Sequence, residues 1–223
     1  MTRKLLFIAL LLIVAELGAT AVLYPHMPER VPMHWNLHGQ ADGFGPRAGL
    51  FFFGPGMLAG LLLLAALLPW LSPRRFSIST FEETYSRIFV NILLLLAYIH
   101  AVMLWAASVH AIDPGRAITA GACLLMVLLG NLMGKVRRNF YIGIRTPWTL
   151  ASERVWNATH RFGARAMVLA GLLGCILAAS GFYLAAIALL CLGSAAPVLY
   201  SLLYSKQLER RGELEENAPG AKG

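Results

Sequence analysis

Apolar residues in this chain come in blocks rather than on faces. The blocks cover approximately 5–24, 49–71, 88–110, 117–134, 165–182 and 184–204. About 20 consecutive apolar residues can cross the hydrocarbon of a bilayer as a helix. Six blocks therefore predict six transmembrane helices. The last two nearly touch, so "AASGFYLAA" must be a tight hairpin with Ser180 and Gly181 at its turn. Eighteen helical residues rise ~27 Å, just enough for a bilayer core. The alternative is a single bent element there. The first block follows a basic start, as a signal peptide would, but it continues to about Tyr24. That is too long for a signal core, and the expectation is a retained helix.

Two polar segments interrupt this pattern. One is "YPHMPERVPMHWNLHGQADGFGPR", residues 24–47. Pro25, Pro28, Pro32 and Pro46 exclude a long helix, and Gly39, Gly43 and Gly45 supply turns. An extended, turn-rich element is expected. Its His34, His38 and Asp42 are candidate zinc ligands by residue type. The other reading is a polar loop whose histidines meet water or headgroups. Gly39 and Gly43 oppose the helix that would align those ligands.

The second segment is "KVRRNFYIGIRTPWTLASERVWNATHRFGAR", residues 135–165. Gly143 permits a turn before Arg145. Thr146 precedes Pro147 and is biased away from helix. Thr149 or Ser152 can cap a short helix from about 151 to 163. Glu153, Trp156, Asn157 and His160 would share one face of it. Trp148, Trp156 and Phe162 suit the headgroup level, and the arginines would attract anionic lipid. A nonspecific anchor explains that composition but not the detail of "GIRTPWT". The sharper expectation is a defined surface, with Glu153 as ion-pair partner of Arg145.

Charge sets the orientation. Of the 19 lysines and arginines, sixteen fall in 1–4, 72–87, 135–165 and 205–223, and three in 25–48 and 111–116. Positive loops stay inside. Both termini and the 135–165 segment are thus expected in the cytoplasm. A single bent element at 165–204 would weaken this bias. The net charge of +8 is explained by topology before nucleic acid, and 58% hydrophobic with 13% charged residues excludes an ordinary soluble domain. Cys123, Cys175 and Cys191 lie in apolar segments without CxxC spacing, so no disulfide or metal framework is implied. Glu16, Asn91, His100 and Asn131 lie within apolar blocks. Ionisable groups there suggest function by default. The plainer reading is a contact between helices, with Asn91 or His100 as partner for Glu16. Gly171, Gly174 and Ala178 would let backbones approach closely.

Residues 130–163 resemble the signature of the SdpI-like family of multi-pass immunity proteins. The elements are Gly130-Asn131, Asn139, Ile142-Gly143, Arg145-Thr146-Pro147-Trp148-Thr149, Glu153, Val155-Trp156 and His160-Arg161. Pro28, Pro32, His34-Trp35-Asn36, Gly39 and Asp42-Gly43 resemble the small uncharacterised domain often found at that family's N-terminus. The resemblance implies protection of a bacterium from a secreted, membrane-active peptide toxin. It further implies a receptor that, on binding toxin, holds a cytoplasmic DNA-binding repressor at the membrane. The partners expected are thus the lipid bilayer, a peptide toxin and such a repressor, with no direct nucleic acid. No cofactor is implied.

The expected fold class is an all-α integral membrane protein of the bacterial cytoplasmic membrane. It has six spans, both termini inside, and an ordered cytoplasmic segment between helices four and five. It divides into 1–71, 72–134, 135–165, 166–204 and a disordered tail, 205–223. Two other classes are weighed. A membrane enzyme or metal-binding protein would use the outer histidines, or Glu153 and His160. No HExxH, GxSxG or GxxxxGK[ST] occurs, and Glu153 and His160 stand roughly 10 Å apart along a helix axis. A transporter would need an internal repeat with paired broken helices, whereas Gly54-Pro55-Gly56 stands alone.

Overall fold

The computed structural model describes residues 2–36, 40–71, 78–109 and 113–214. Six segments among them are long and apolar enough to cross a membrane: Arg3–His26, Gly49–Leu71, Ile78–Ser108, Pro114–Met133, Glu153–Ala179 and Tyr183–Arg210. The protein is a multi-pass membrane protein built mainly of helix. Phe7, Val14, Leu63, Leu169, Ile176 and Leu203 are exposed on the outside of the bundle. Water would penalise such a surface; lipid does not.

The first helix, α1, covers Arg3–Leu23. The chain then departs from the all-α expectation. Strands β1 (Arg30–Trp35) and β2 (Ala41–Pro46) pair antiparallel, Arg30 opposite Pro46 and Trp35 opposite Ala41. The prolines forbid helix, and a two-stranded ribbon satisfies the backbone instead. The register slips between Pro32 and His34, as in a bulge, and leaves Met33 without an opposite residue. Arg47 fixes the hairpin to the helix end. Its guanidinium donates to the carbonyls of Met27 (3.0 Å) and Tyr24 (3.3 Å) and lies 4.6 Å over the Tyr24 ring. Met27 and Val31 bury against Leu50, Met103 and Leu104.

The second span has two parts. Helices α2 (Gly49–Phe51) and α3 (Met57–Leu71) are joined by a π-helical turn over Phe52–Gly56. Pro55 cannot donate a backbone hydrogen bond, and the extra residue of a π turn absorbs that loss. A Cβ on Gly54 would overlap the His100 ring, so glycine is required where this turn meets the next helix. That helix, α4, covers Glu82–Val109 after a 3-10 turn at Ile78–Phe81. His100 is fully buried, and its Nδ1 pairs with the Glu16 carboxylate of α1. The expected contact between helices is therefore made by Glu16 and His100. Asn91 is not part of it.

Helix α5 (Pro114–Met133) starts at Asp113, whose carboxylate accepts from Arg116 N–H at 3.0 Å. Helix α6 is the single turn Pro147–Ala151, α7 covers Glu153–Ala179, and α8 covers Tyr183–Arg210. The separate short helix expected at 151–163 is instead the beginning of α7. The helix runs unbroken through 163–166, and there Gly163 packs closely against Pro197 of α8. The hairpin between α7 and α8 turns as expected at Ser180 and Gly181, with φ +84° at the glycine. Helices α5 and α7 touch closely. A Cβ on Gly171 would stand 2.7 Å from the Cys123 carbonyl oxygen, and one on Gly174 2.7 Å from Cys123 Sγ. Helix α8 runs past 204 to Arg210, so the first part of the expected tail is ordered. The rest of the tail, 215–223, lies outside the described residues.

Two ends of the bundle can be distinguished. One carries the β-hairpin and the start of α8, where the Tyr183 hydroxyl donates to Asp113. The other gathers distant parts of the chain. Thr2 N–H donates to Ser86 Oγ at 3.1 Å, Arg154 pairs with Glu213 at 2.7 Å, and Ile78, Phe81 and Tyr85 pack with Val136 and Trp156.

Candidate functional site

The segment between α5 and α7 folds into a hydrogen-bonded knot on this second end. Asn139 is fully buried. Its side-chain oxygen accepts from the N–H groups of Tyr141 and Ile142, both at 2.7 Å. Its amide donates to the carbonyls of Arg137 (2.8 Å) and Ile142 (3.0 Å). One side chain thus replaces the backbone partners that a loop lacks.

Gly143 follows with φ +104°. The turn brings its bare α-carbon against His160 Nε2, where a Cβ would overlap the ring. Ile144 N–H then donates to His160 Nε2 at 3.1 Å. The ring's Nδ1–H donates to the Trp156 carbonyl at 2.8 Å. Both ring nitrogens are spent on backbone, and the imidazole stacks on Trp156 with centroids 4.0 Å apart. Trp156 is itself fully buried, and its indole N–H donates to the Val136 carbonyl at 2.8 Å.

Thr146 and Thr149 close a reciprocal capping box on α6. Thr149 N–H reaches Thr146 Oγ1 at 3.3 Å, and Thr146 N–H reaches Thr149 Oγ1 at 2.9 Å. Ser152 caps α7 through Val155 N–H. Trp148 donates its indole N–H to Ser201 Oγ of α8 at 2.8 Å, which ties α6 to the last helix. Arg138 reaches the carbonyls of Leu150 and Ala151 at the end of α6.

The residues expected to act together therefore divide in two. Asn139, Gly143, Thr146, Trp156 and His160 build the knot from inside. Arg145, Pro147, Glu153 and Arg161 are exposed on its surface, with Trp148 half-buried between the groups. Asn131 is exposed on α5 and joins neither group, and Gly130 beside it packs against Met167 and Val168. The Arg145–Glu153 ion pair is not formed. Arg145 donates to the Phe140 carbonyl, and the described ion pair nearest α7's start is Arg154–Glu213. Trp156 is not an exposed interfacial anchor either. Its place on the helix faces Tyr85 and Val136, which remove it from solvent and lipid alike.

At the hairpin end, His34 Nδ1 lies 2.5 Å from the Asp42 carboxylate across the bulged ribbon. Asn36 and Gln40 exchange backbone and side-chain hydrogen bonds just beyond the Trp35–Ala41 pair. A pocket of about 290 Å³ opens beneath them, lined by His34, Trp35, Asn36, Thr119 and Tyr183 among others. His38 lies outside the described residues. Among the described residues no three His, Cys, Asp or Glu side chains group as a metal site would need. Tyr183 and Ser201 were not legible as site residues. Their partners lie 70 and 53 positions away, and no local spacing marks such pairs.

Comparison with known proteins bears on both ends. Residues 135–201 match the SdpI/YfhL protein family, and residues 11–59 match a domain of unknown function, DUF1648. The chain is 26% identical over 207 residues to a protein named Immunity protein SdpI from Bacillus subtilis (strain 168), covering 90% of this chain and 96% of that protein. No solved structure matches the chain.

Proposed function

We propose that this chain, which carries the SdpI/YfhL match at 135–201 and the DUF1648 match at 11–59, gives its cell immunity to a secreted, membrane-active peptide toxin. The observation that carries the reading is the likeness to Immunity protein SdpI, which extends over 90% of the chain. The 11–59 match takes in the hairpin at one end of the bundle; the 135–201 match takes in the hydrogen-bonded knot at the other end and also Tyr183, which lines the pocket under the hairpin. An immunity protein that senses toxin on one face and reports it on the other needs both.

In this reading the knot end faces the cytoplasm, in the bacterial inner membrane. Arg3, Lys4, Arg87, Lys135, Arg137, Arg138, Arg145, Arg154 and Arg161 belong to this end, whereas Arg30, Arg47 and Arg116 lie at the other. That asymmetry is the one the positive-inside rule requires. The hairpin end, with His34, Trp35, Asn36 and Asp42, meets the toxin. The exposed side of the knot, with Arg145, Pro147, Trp148 and Arg161, is where a cytoplasmic repressor would be held. The protein acts by binding and needs no catalytic step.

The test is growth. Expressed in bacteria killed by such a peptide, the intact chain should restore survival. Arg145→Ala or Trp148→Ala should reduce it at unchanged membrane abundance. Survival equal to wild type in both variants removes the knot from the mechanism, and failure of the intact chain against every such toxin removes the immunity reading.

A further inference from the structure

A pocket of about 410 Å³ lies beside the knot, lined by Gly134, Lys135, Val136, Arg137, Asn157 and Arg161. Two walls form it. One is the chain leaving α5, and the other is the face of α7 on which Asn157 and Arg161 stand one turn apart. One buried hydrogen bond joins the two walls, and two more hold the backbone of the first wall. Val136 accepts from Trp156 of α7 at 2.8 Å, Arg137's carbonyl accepts from Asn139 at 2.8 Å, and Lys135 N–H returns to Leu132 at 2.9 Å.

Lys135, Arg137 and Arg161 bring three positive charges to this pocket. None of the three has an ion-pair or side-chain hydrogen-bond partner among the described residues. All three are exposed, so solvent screens part of their repulsion, and an anion between them would relieve the rest. The α5 C-terminus supplies only about half a negative charge, so it does not balance them. Glu153, one turn before Asn157 on the same side of α7, is exposed and does not line the pocket.

The pocket also sits at a particular depth. Trp70, 83% exposed beside the end of α3, and the stacked Phe162, Tyr200 and Tyr204 belong to the same end of the bundle. Amphipathic aromatics collect where headgroups lie. Planar guanidinium groups match the geometry of phosphate oxygens, an amide adds a donor, and an ammonium adds point charge.

We infer that this pocket binds a phosphate group, carried by an anionic phospholipid headgroup or free in solution. The site shares Arg161 with the surface proposed for a repressor but does not rest on the immunity reading. It requires only the pocket and its charges.

The experiment uses the full chain purified in detergent. Native mass spectrometry would follow binding of phosphatidylglycerol and, separately, phosphatidylcholine. Phosphorus NMR would follow line broadening of inorganic phosphate. Arg137→Gln/Arg161→Gln empties the pocket of two charges; Lys206→Gln/Arg210→Gln removes two exposed charges from α8 and is the control. The expected result is preferential retention of phosphatidylglycerol, weakened about thirtyfold in the pocket variant and little changed in the control. Phosphate broadening lost only in the pocket variant, without a lipid preference, supports the same site with a soluble source. Equal loss in both variants, or none in either, overturns it, because a diffuse field or no site would then account for binding. Should the double variant not fold, Lys135→Gln alone should weaken binding about fivefold.

Discussion

At Gly143 the backbone takes φ +104° while its α-carbon faces His160. An alanine there meets two penalties, the left-handed strain of about 1–2 kcal/mol and overlap with the ring. Gly143→Ala should therefore lower the thermal midpoint of the detergent-purified protein clearly. Gly60→Ala, in α3 with open space around it, should leave the midpoint unchanged or raise it slightly. Equal behaviour of the two would mean that the knot is not clamped on His160. The Glu16–His100 pair permits a second measurement. Either partner alone leaves a polar group buried in an apolar bundle. Glu16→Ala and His100→Leu should each destabilise, and the double variant should cost less than their sum by about 1 kcal/mol. Strict additivity would mean that the pair contributes no coupling.

Between elements, the glycines of α7 decide how near α5 can come. Gly171 faces the Cys123 carbonyl and the Val127 backbone nitrogen, with no room for a side chain. Gly171→Val should cost about 1–3 kcal/mol through overpacking, read as a lowered midpoint and reduced membrane yield. A neutral outcome would mean that α5 and α7 are not packed backbone to backbone. The π turn at Phe52–Gly56 acts differently. It carries Gly54 past His100 and so sets the space available to the Glu16–His100 pair. The sequence marks this position by Gly-Pro-Gly, yet only the packing of α4 explains why Gly54 must be small, while Gly56 is confined by the Phe51 carbonyl of its own turn.

On the scale of the whole molecule, the proposal depends on which end faces which compartment. Cysteine placed at exposed Phe44 on the hairpin and at exposed Arg145 on the knot reports this directly. A membrane-impermeant maleimide should label Phe44→Cys in intact cells and Arg145→Cys only after lysis. The reverse pattern would invert the orientation and remove the toxin-facing role of the hairpin. Even numbers of crossings also agree with the observed geometry, since Thr2 and Glu213 both lie at the knot end.

Six spans, the tight turn at Ser180-Gly181, the special backbone at Gly143 and the cap at Ser152 were all legible in the sequence. Each depends on local physics: the apolar length needed to cross a bilayer, the φ that only glycine accepts freely, a hydroxyl beside unpaired N–H groups. Long-range pairing was not legible. Which helix Glu16 would meet, that Trp156 would be buried rather than interfacial, that Trp148 would reach Ser201, and that Arg145 would bond Phe140 instead of Glu153 all depend on which faces the packed helices turn toward one another. Periodicity assigns a residue to a face of its own helix. Only the tertiary structure decides what stands opposite that face, because close packing among the helices and the hairpin is a property of the assembled chain.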